Sequence, residues 1–245
     1  MATIAIYSLK GGVGKTTLAV NLAWCAATLS ARRTLLWDLD PQAASTFLLG
    51  GGKGKAQAQA VFTKDVEPSR LANPTSIDRL DLIAADTSLR SLDLLFHELD
   101  KKKRLAKLLG QLDKAYDRMI LDCPPGLTET SEQVMRAADL IVVPVVPSAL
   151  SERALAEVEA HLGGRGRATL MPVHSMVDRR RKLHGEALAR NPDWPVIPMA
   201  SIIESMGNHR APVGTFSPRS AGGKAFADLW QAVERRLAMP KKGKG

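Results

Sequence analysis

Eight residues, Lys10-Gly11-Gly12-Val13-Gly14-Lys15-Thr16-Thr17, follow directly on the apolar run Ile4-Ala5-Ile6-Tyr7 and carry the strongest chemical signal in the chain. The spacing is that of a phosphate-binding loop. Glycines at 11, 12 and 14 let the backbone take positive φ and turn N–H groups inward around an anion. Lys15 adds a cation, and Thr16 offers a hydroxyl of the kind that ligates Mg2+. Mg2+ keeps several of its waters, so one hydroxyl, phosphate oxygens and outer carboxylates suffice to hold it. Such a loop asks for a nucleoside triphosphate.

The loop must be positioned by a strand before it and a helix after it, and the rest of the chain repeats that pattern. Strand-like runs recur at residues 3–7, 34–37, 80–84, 118–121, 140–145, 169–173 and 196–199, separated mostly by segments of helical periodicity. This alternation predicts an α/β fold: a mostly parallel, twisted central sheet flanked by helices on both faces. A ligand then belongs outside the carboxyl ends of the strands, beside the loop. Residues 50–59 read as a flexible surface loop and residues 240–245 as a frayed basic tail. In the final helix, about residues 222–238, Phe226, Leu229, Trp230, Val233 and Leu237 form one apolar stripe, expected to be a core face rather than a membrane-facing one because the tail after it has too little apolar area to anchor a protein.

The extra cation at Lys10 narrows the reading. Lys-Gly-Gly-x-Gly-Lys-Thr-Thr resembles the deviant Walker motif of the ParA/MinD ATPases, and further matches follow in order. They are Asp38-Leu39-Asp40-Pro41-Gln42, Asp122-Cys123-Pro124-Pro125-Gly126 and Ser175-Met176-Val177-Asp178. The resemblance runs from about residue 2 to about residue 237. It implies one P-loop ATPase domain over residues 1–239, with ATP and Mg2+ as cofactors and an ATP-dependent homodimer as the active form. In it Lys10 reaches the partner's phosphates and Lys15 the subunit's own. Asp122 is the Walker B carboxylate, Asp38 a second carboxylate near the metal's waters, and Asp40 the residue that orients the attacking water. The base lies near Met176 and Pro198, although Ser175-Met176 lacks the Asn-Arg pair of some relatives. An aspartate after a strand also caps helices or fixes turns, whatever else it does.

Composition bounds the partners. With 245 residues, 45% of them hydrophobic, the chain can bury a large core as one domain. Cys25 and Cys123 are too few for a disulfide framework or a zinc site, which points to a reducing cytoplasm. The longest apolar run, residues 140–146, is too short to span a bilayer. Residues 1–162 carry 19 basic and 19 acidic side chains, so the whole net charge of +9 comes from residues 163–245, with 15 basic and 6 acidic. A basic face beside a nucleotide site suits a polyanion, and double-stranded DNA is the leading candidate.

Arg179, Arg180, Arg181 and Lys182 follow a strand end, and Arg210, Arg219 and Lys224 lie where ParA-like proteins carry DNA-contacting residues. No aromatic residues interleave with these cations, which favours contacts to the backbone without sequence preference. Nothing ahead of the ATPase core resembles a helix-turn-helix, so operator binding is not expected. The resemblance further implies an activating adaptor of the ParB kind and a place on the bacterial nucleoid. Two other readings compete: a MinD-like membrane-cycling ATPase, and a P-loop metabolic ligase of the dethiobiotin-synthetase kind, which has no use for Lys10.

Overall fold

The computed structural model describes residues 1–51, 58–63, 66–99, 103–162 and 168–239. Eight strands form one sheet in the order β3-β4-β2-β5-β1-β6-β7-β8. They are β1 (Ala2–Ile6), β2 (Thr34–Asp38), β3 (Ala72–Pro74), β4 (Leu80–Ile83), β5 (Arg118–Asp122), β6 (Leu140–Val145), β7 (Thr169–Val177) and β8 (Val196–Pro198). All neighbours are parallel except β3, which pairs antiparallel with β4.

Alternation along each strand divides the core in two. Ile4, Ile6, Leu36 and Ile120 face one side, against the helix Lys15–Trp24 that follows the loop and the final helix Ala221–Ala238. Ala5, Tyr7, Leu35, Trp37, Met119 and Leu121 face the other, against helices that include Arg104–Gly110, Glu129–Ala137 and Ala149–Leu162. Burial on both faces is why β6, Leu-Ile-Val-Val-Pro-Val, is buried throughout. Its Pro144 lies past Val142, the last residue paired with β1, so the missing N–H interrupts no bond to that neighbour.

Two elements depart from the sequence reading. β3 was not expected: it is three residues long, half exposed, and carries a proline that only an edge strand tolerates. β7 runs on past residue 173 to Val177, with a register shift against β8 between His174 and Val177 and with Met176 at φ 54°. In the final helix Phe226, Leu229, Trp230 and Val233 are all buried, and the Trp230 indole N–H donates to Ser30 Oγ at 2.8 Å. That stripe is core. Of the loop expected at residues 50–59, positions 52–57 lie outside the described residues, as does the tail 240–245. The far end of the loop is anchored, because Ala58 is buried and its N–H donates to Asp86 Oδ2 at 2.8 Å.

Candidate functional site

Strand register assembles the site. Asp38 and Asp122 end the neighbouring strands β2 and β5 and pair Cα to Cα, while Ile6, the last residue of β1, pairs with Asp122 from the other side. The phosphate-binding loop therefore leaves the sheet beside both carboxylates. In the loop Gly12 and Gly14 stand at φ 71° and 90°. A Cβ at Gly14 would sit 3.1 Å from Ser175 Oγ, so the end of β7 packs directly on the loop. Ser175 Oγ also donates to the Val13 carbonyl at 2.8 Å. The helix Lys15–Trp24 starts at Gly14 with no side-chain cap, leaving its first N–H groups to an anion.

Both lysines take contacts within the chain. Lys15 is 7% exposed, and its Nζ donates to the Lys10 carbonyl at 3.0 Å. Burial lowers its pKa, against the opposing pull of Asp122 and Asp40. Lys10 Nζ donates instead to Ser151 Oγ at 3.3 Å, in the first turn of Ala149–Leu162.

The carboxylates are less alike than their positions. Asp122 Oδ2 accepts from the Ser45 hydroxyl at 2.7 Å, while its buried Oδ1 has no hydrogen-bond partner. Asp38 Oδ2 accepts both the N–H and the hydroxyl of Thr46, at 2.9 and 2.8 Å, and its Oδ1 accepts the Asp40 N–H at 3.1 Å. Asp38 thus fixes the Asp40 turn and the helix Ala44–Leu48, the capping role open to any aspartate after a strand. Asp40, half-buried, accepts the Gln42 N–H at 2.9 Å.

Among the described residues no cluster of three or more His, Cys, Asp or Glu could hold a metal. The donor set is the free Oδ1 of Asp122 with the nearby Thr16 hydroxyl, which suits a hydrated divalent ion that takes its other ligands from phosphates and water. Ser45 and Thr46, which hold the two carboxylates, were missed by sequence reading. Two hydroxyl residues in a short helix carry no local sign of what they face.

Burial raises the pKa of both carboxylates. The charge of Asp122 adds to the rise at Asp38, while the Ser45 and Thr16 hydroxyls moderate it at Asp122. A folded pKa above the unfolded value contributes stability that is complete below the ordinary aspartate value of about 3.9 and lost as pH rises through the raised values. The nucleotide-free protein should therefore lose stability between about pH 4 and pH 8 at this pair, with the loss largely complete by about pH 7. Asp122→Asn, which keeps an acceptor for Ser45, should be more stable at pH 8 by about 1–2 kcal/mol and show a flatter profile. Urea unfolding at the two pH values tests this, and equal slopes would disprove it.

Beside the loop lies a cavity of about 230 Å³ lined by Gly14 and Thr17, by Met176 and Pro198, and by Leu48 and Met206. Met176 and Pro198 are thus brought to the loop. Leu48 and Met206, from two short helices far apart in sequence, were not foreseen.

The basic residues divide. Arg179, Arg180, Arg181 and Lys182 are exposed. Arg180 forms a two-pronged pair with Asp178, both contacts at 2.9 Å, which holds that carboxyl down at about 2, and Lys182 lies 3.9 Å from Glu186. Arg179 and Lys224 share with Arg235 a groove of about 560 Å³ along the final helix, which Asp193 and Asp228 also line. Arg219 is exposed, and Arg210 rests on the ring of Phe47.

Comparison with known proteins agrees with this geometry. The model of a family described as an AAA domain matches residues 1–162, about two thirds of the chain. The chain belongs to that family. Within it, it is a small Soj-like member of the ParA/MinD group, 29% identical over 250 residues to the sporulation initiation inhibitor protein Soj of Bacillus subtilis. That match covers 94% of this chain and 97% of Soj. Among solved structures, an ATP complex of a Cyanothece McdA variant superposes with a TM-score of 0.79 at 21% identity, covering 100% of this chain and 99% of that one. A Pyrococcus horikoshii septum site-determining protein MinD with Mg-ADP gives 0.81 at 22%, covering 97% of each. These structural likenesses speak for the fold, a ParA/MinD-type P-loop sheet.

Proposed function

We propose that this ParA/MinD-type chain is a Mg2+-dependent ATPase whose ATP-bound dimer binds DNA without sequence preference. It would position cargo such as a plasmid, a chromosome or a protein cluster, with hydrolysis stimulated by a partner protein. The observation that carries the reading is the convergence of Lys10, Lys15, Asp40 and the unpartnered Asp122 Oδ1 at one sheet edge, in a chain whose entire charge excess lies after residue 162. Relatives of the same fold hold ATP and Mg-ADP, which supports both ligands here.

Thr16 and Asp122 would hold Mg2+, which shields phosphate charge when bound. The cavity beside Gly14 would take the base, and Asp40 would orient the water that attacks the γ-phosphorus as its bond to ADP breaks. Lys15 and the loop N–H groups stabilise the charge from one subunit and Lys10 from the other. Against membrane cycling stands the burial of the final helix's apolar stripe. Among the described residues no helix is long and apolar enough to cross a membrane.

Duplex binding measured with ATP, with ADP and without nucleotide tests the reading. Binding should need ATP, ignore sequence and fall steeply with salt. Equal affinity in all three states would defeat it.

A further inference from the structure

Arg210 differs from the exposed Arg180 and Lys182 in being held by a carbonyl and a ring rather than by a carboxylate. Its backbone is left-handed at φ 47°, its Nε donates to the Phe47 carbonyl at 3.2 Å, and its guanidinium carbon lies 4.6 Å from the centre of the Phe47 ring. With Nε engaged and one face on the ring, the terminal N–H groups remain as a fork of set direction, the form in which arginine meets phosphate oxygens with little ordering left to do.

Phe47 is itself placed from the nucleotide site. It follows Ser45 and Thr46, which grip Asp122 and Asp38, and it precedes Leu48, which lines the cavity beside the loop. The same cavity is also lined by Met206 and Gly207, four and three residues before Arg210. The Phe47–Arg210 contact therefore joins two segments that each line the cavity. Phe47 is 53% exposed and fills no core position.

We propose that Phe47 seats Arg210 as a phosphate-contacting guanidinium for duplex DNA. The inference rests on the nucleic-acid reading above. Phe47 is then a positioning residue for the interface.

The test uses the full chain, a random-sequence duplex and a salt series with ATP. Phe47→Ala and Arg210→Ala should each weaken binding about ten-fold and lower the salt slope by about one. The double variant should be no weaker than either single, because the two act through one contact. Phe47→Tyr, which keeps a ring under the guanidinium, should bind as the wild type does. Affinity for a fluorescent ATP analogue should stay within about two-fold in Phe47→Ala, separating the seat from the nucleotide site. Wild-type affinity and salt slope in Phe47→Ala, or additive losses in the double variant, would overturn the inference while leaving DNA binding intact. If the wild type bound no duplex in any nucleotide state, the functional reading would fall and this inference with it.

Discussion

Lys15→Ala is expected to abolish nucleotide binding. Lys15 is nearly buried, and its ammonium has only a backbone carbonyl at 3.0 Å and the more distant charges of Asp122 and Asp40 to offset burial. Burial alone lowers its pKa, so a phosphate placed beside it would offset the cost of keeping this cation desolvated. Truncating one partner of a buried charge pair costs ~2–5 kcal/mol, which corresponds to a loss of at least about 30-fold in affinity.

The empty variant should be no less stable than the wild type, since the change removes a desolvated charge and little packing. Titration with a fluorescent ATP analogue, alongside unfolding with and without nucleotide, separates the two effects. Unchanged affinity would refute the role, and a strongly destabilised empty variant would show Lys15 to be structural instead.

Why Lys15 could be found in the sequence, and Ser45 could not, is a matter of range. The phosphate-binding loop is a local object: glycine spacing sets its backbone, and one preceding strand and one following helix are enough to place it. Asp38 and Asp122 are nearly as local, because an aspartate ending an apolar run must stand at a strand's carboxyl end. Their pairing in register required only that β2 and β5 be neighbours.

The Ser45 hydroxyl on Asp122, the Leu48 and Met206 walls and the Ser151 contact of Lys10 join segments far apart in the chain, and no spacing encodes them. The end of β7 was hidden differently. The sequence reading ends this strand at residue 173, yet His174 and Ser175 are both buried: His174 Nε2 pairs with the Asn191 carbonyl at 3.0 Å, and Ser175 Oγ donates to the loop. Side-chain hydrogen bonds let polar letters continue a strand where apolar ones were expected.

Lys10→Ala should separate binding from catalysis. The Lys10 side chain points away from Lys15 to Ser151 Oγ, while the loop uses only its main chain: its carbonyl accepts from Lys15, and its N–H donates to Ser8 Oγ at 3.3 Å. Alanine keeps both main-chain contacts, so a single subunit should bind the ATP analogue within about three-fold of wild type, a change of under 1 kcal/mol. Under the proposed function, the ammonium that one subunit spares is the one its partner would use.

Leu127, on the connection after β5, and Leu150, in the first turn of the helix Ala149–Leu162, are 53% and 68% exposed, so the same edge would offer apolar area to a second copy once the charges are bridged. Without Lys10 the phosphates of two facing subunits repel with less to offset them, and the transition state loses a charge supplied in trans. By comparison with other cations supplied across an interface, hydrolysis should fall by about 10³-fold or more. Gel filtration with ATP should show monomer where the wild type shows dimer. A dimer of normal stability in Lys10→Ala would remove the cross-interface role, and hydrolysis at the wild-type rate would confine Lys10 to its contact with Ser151.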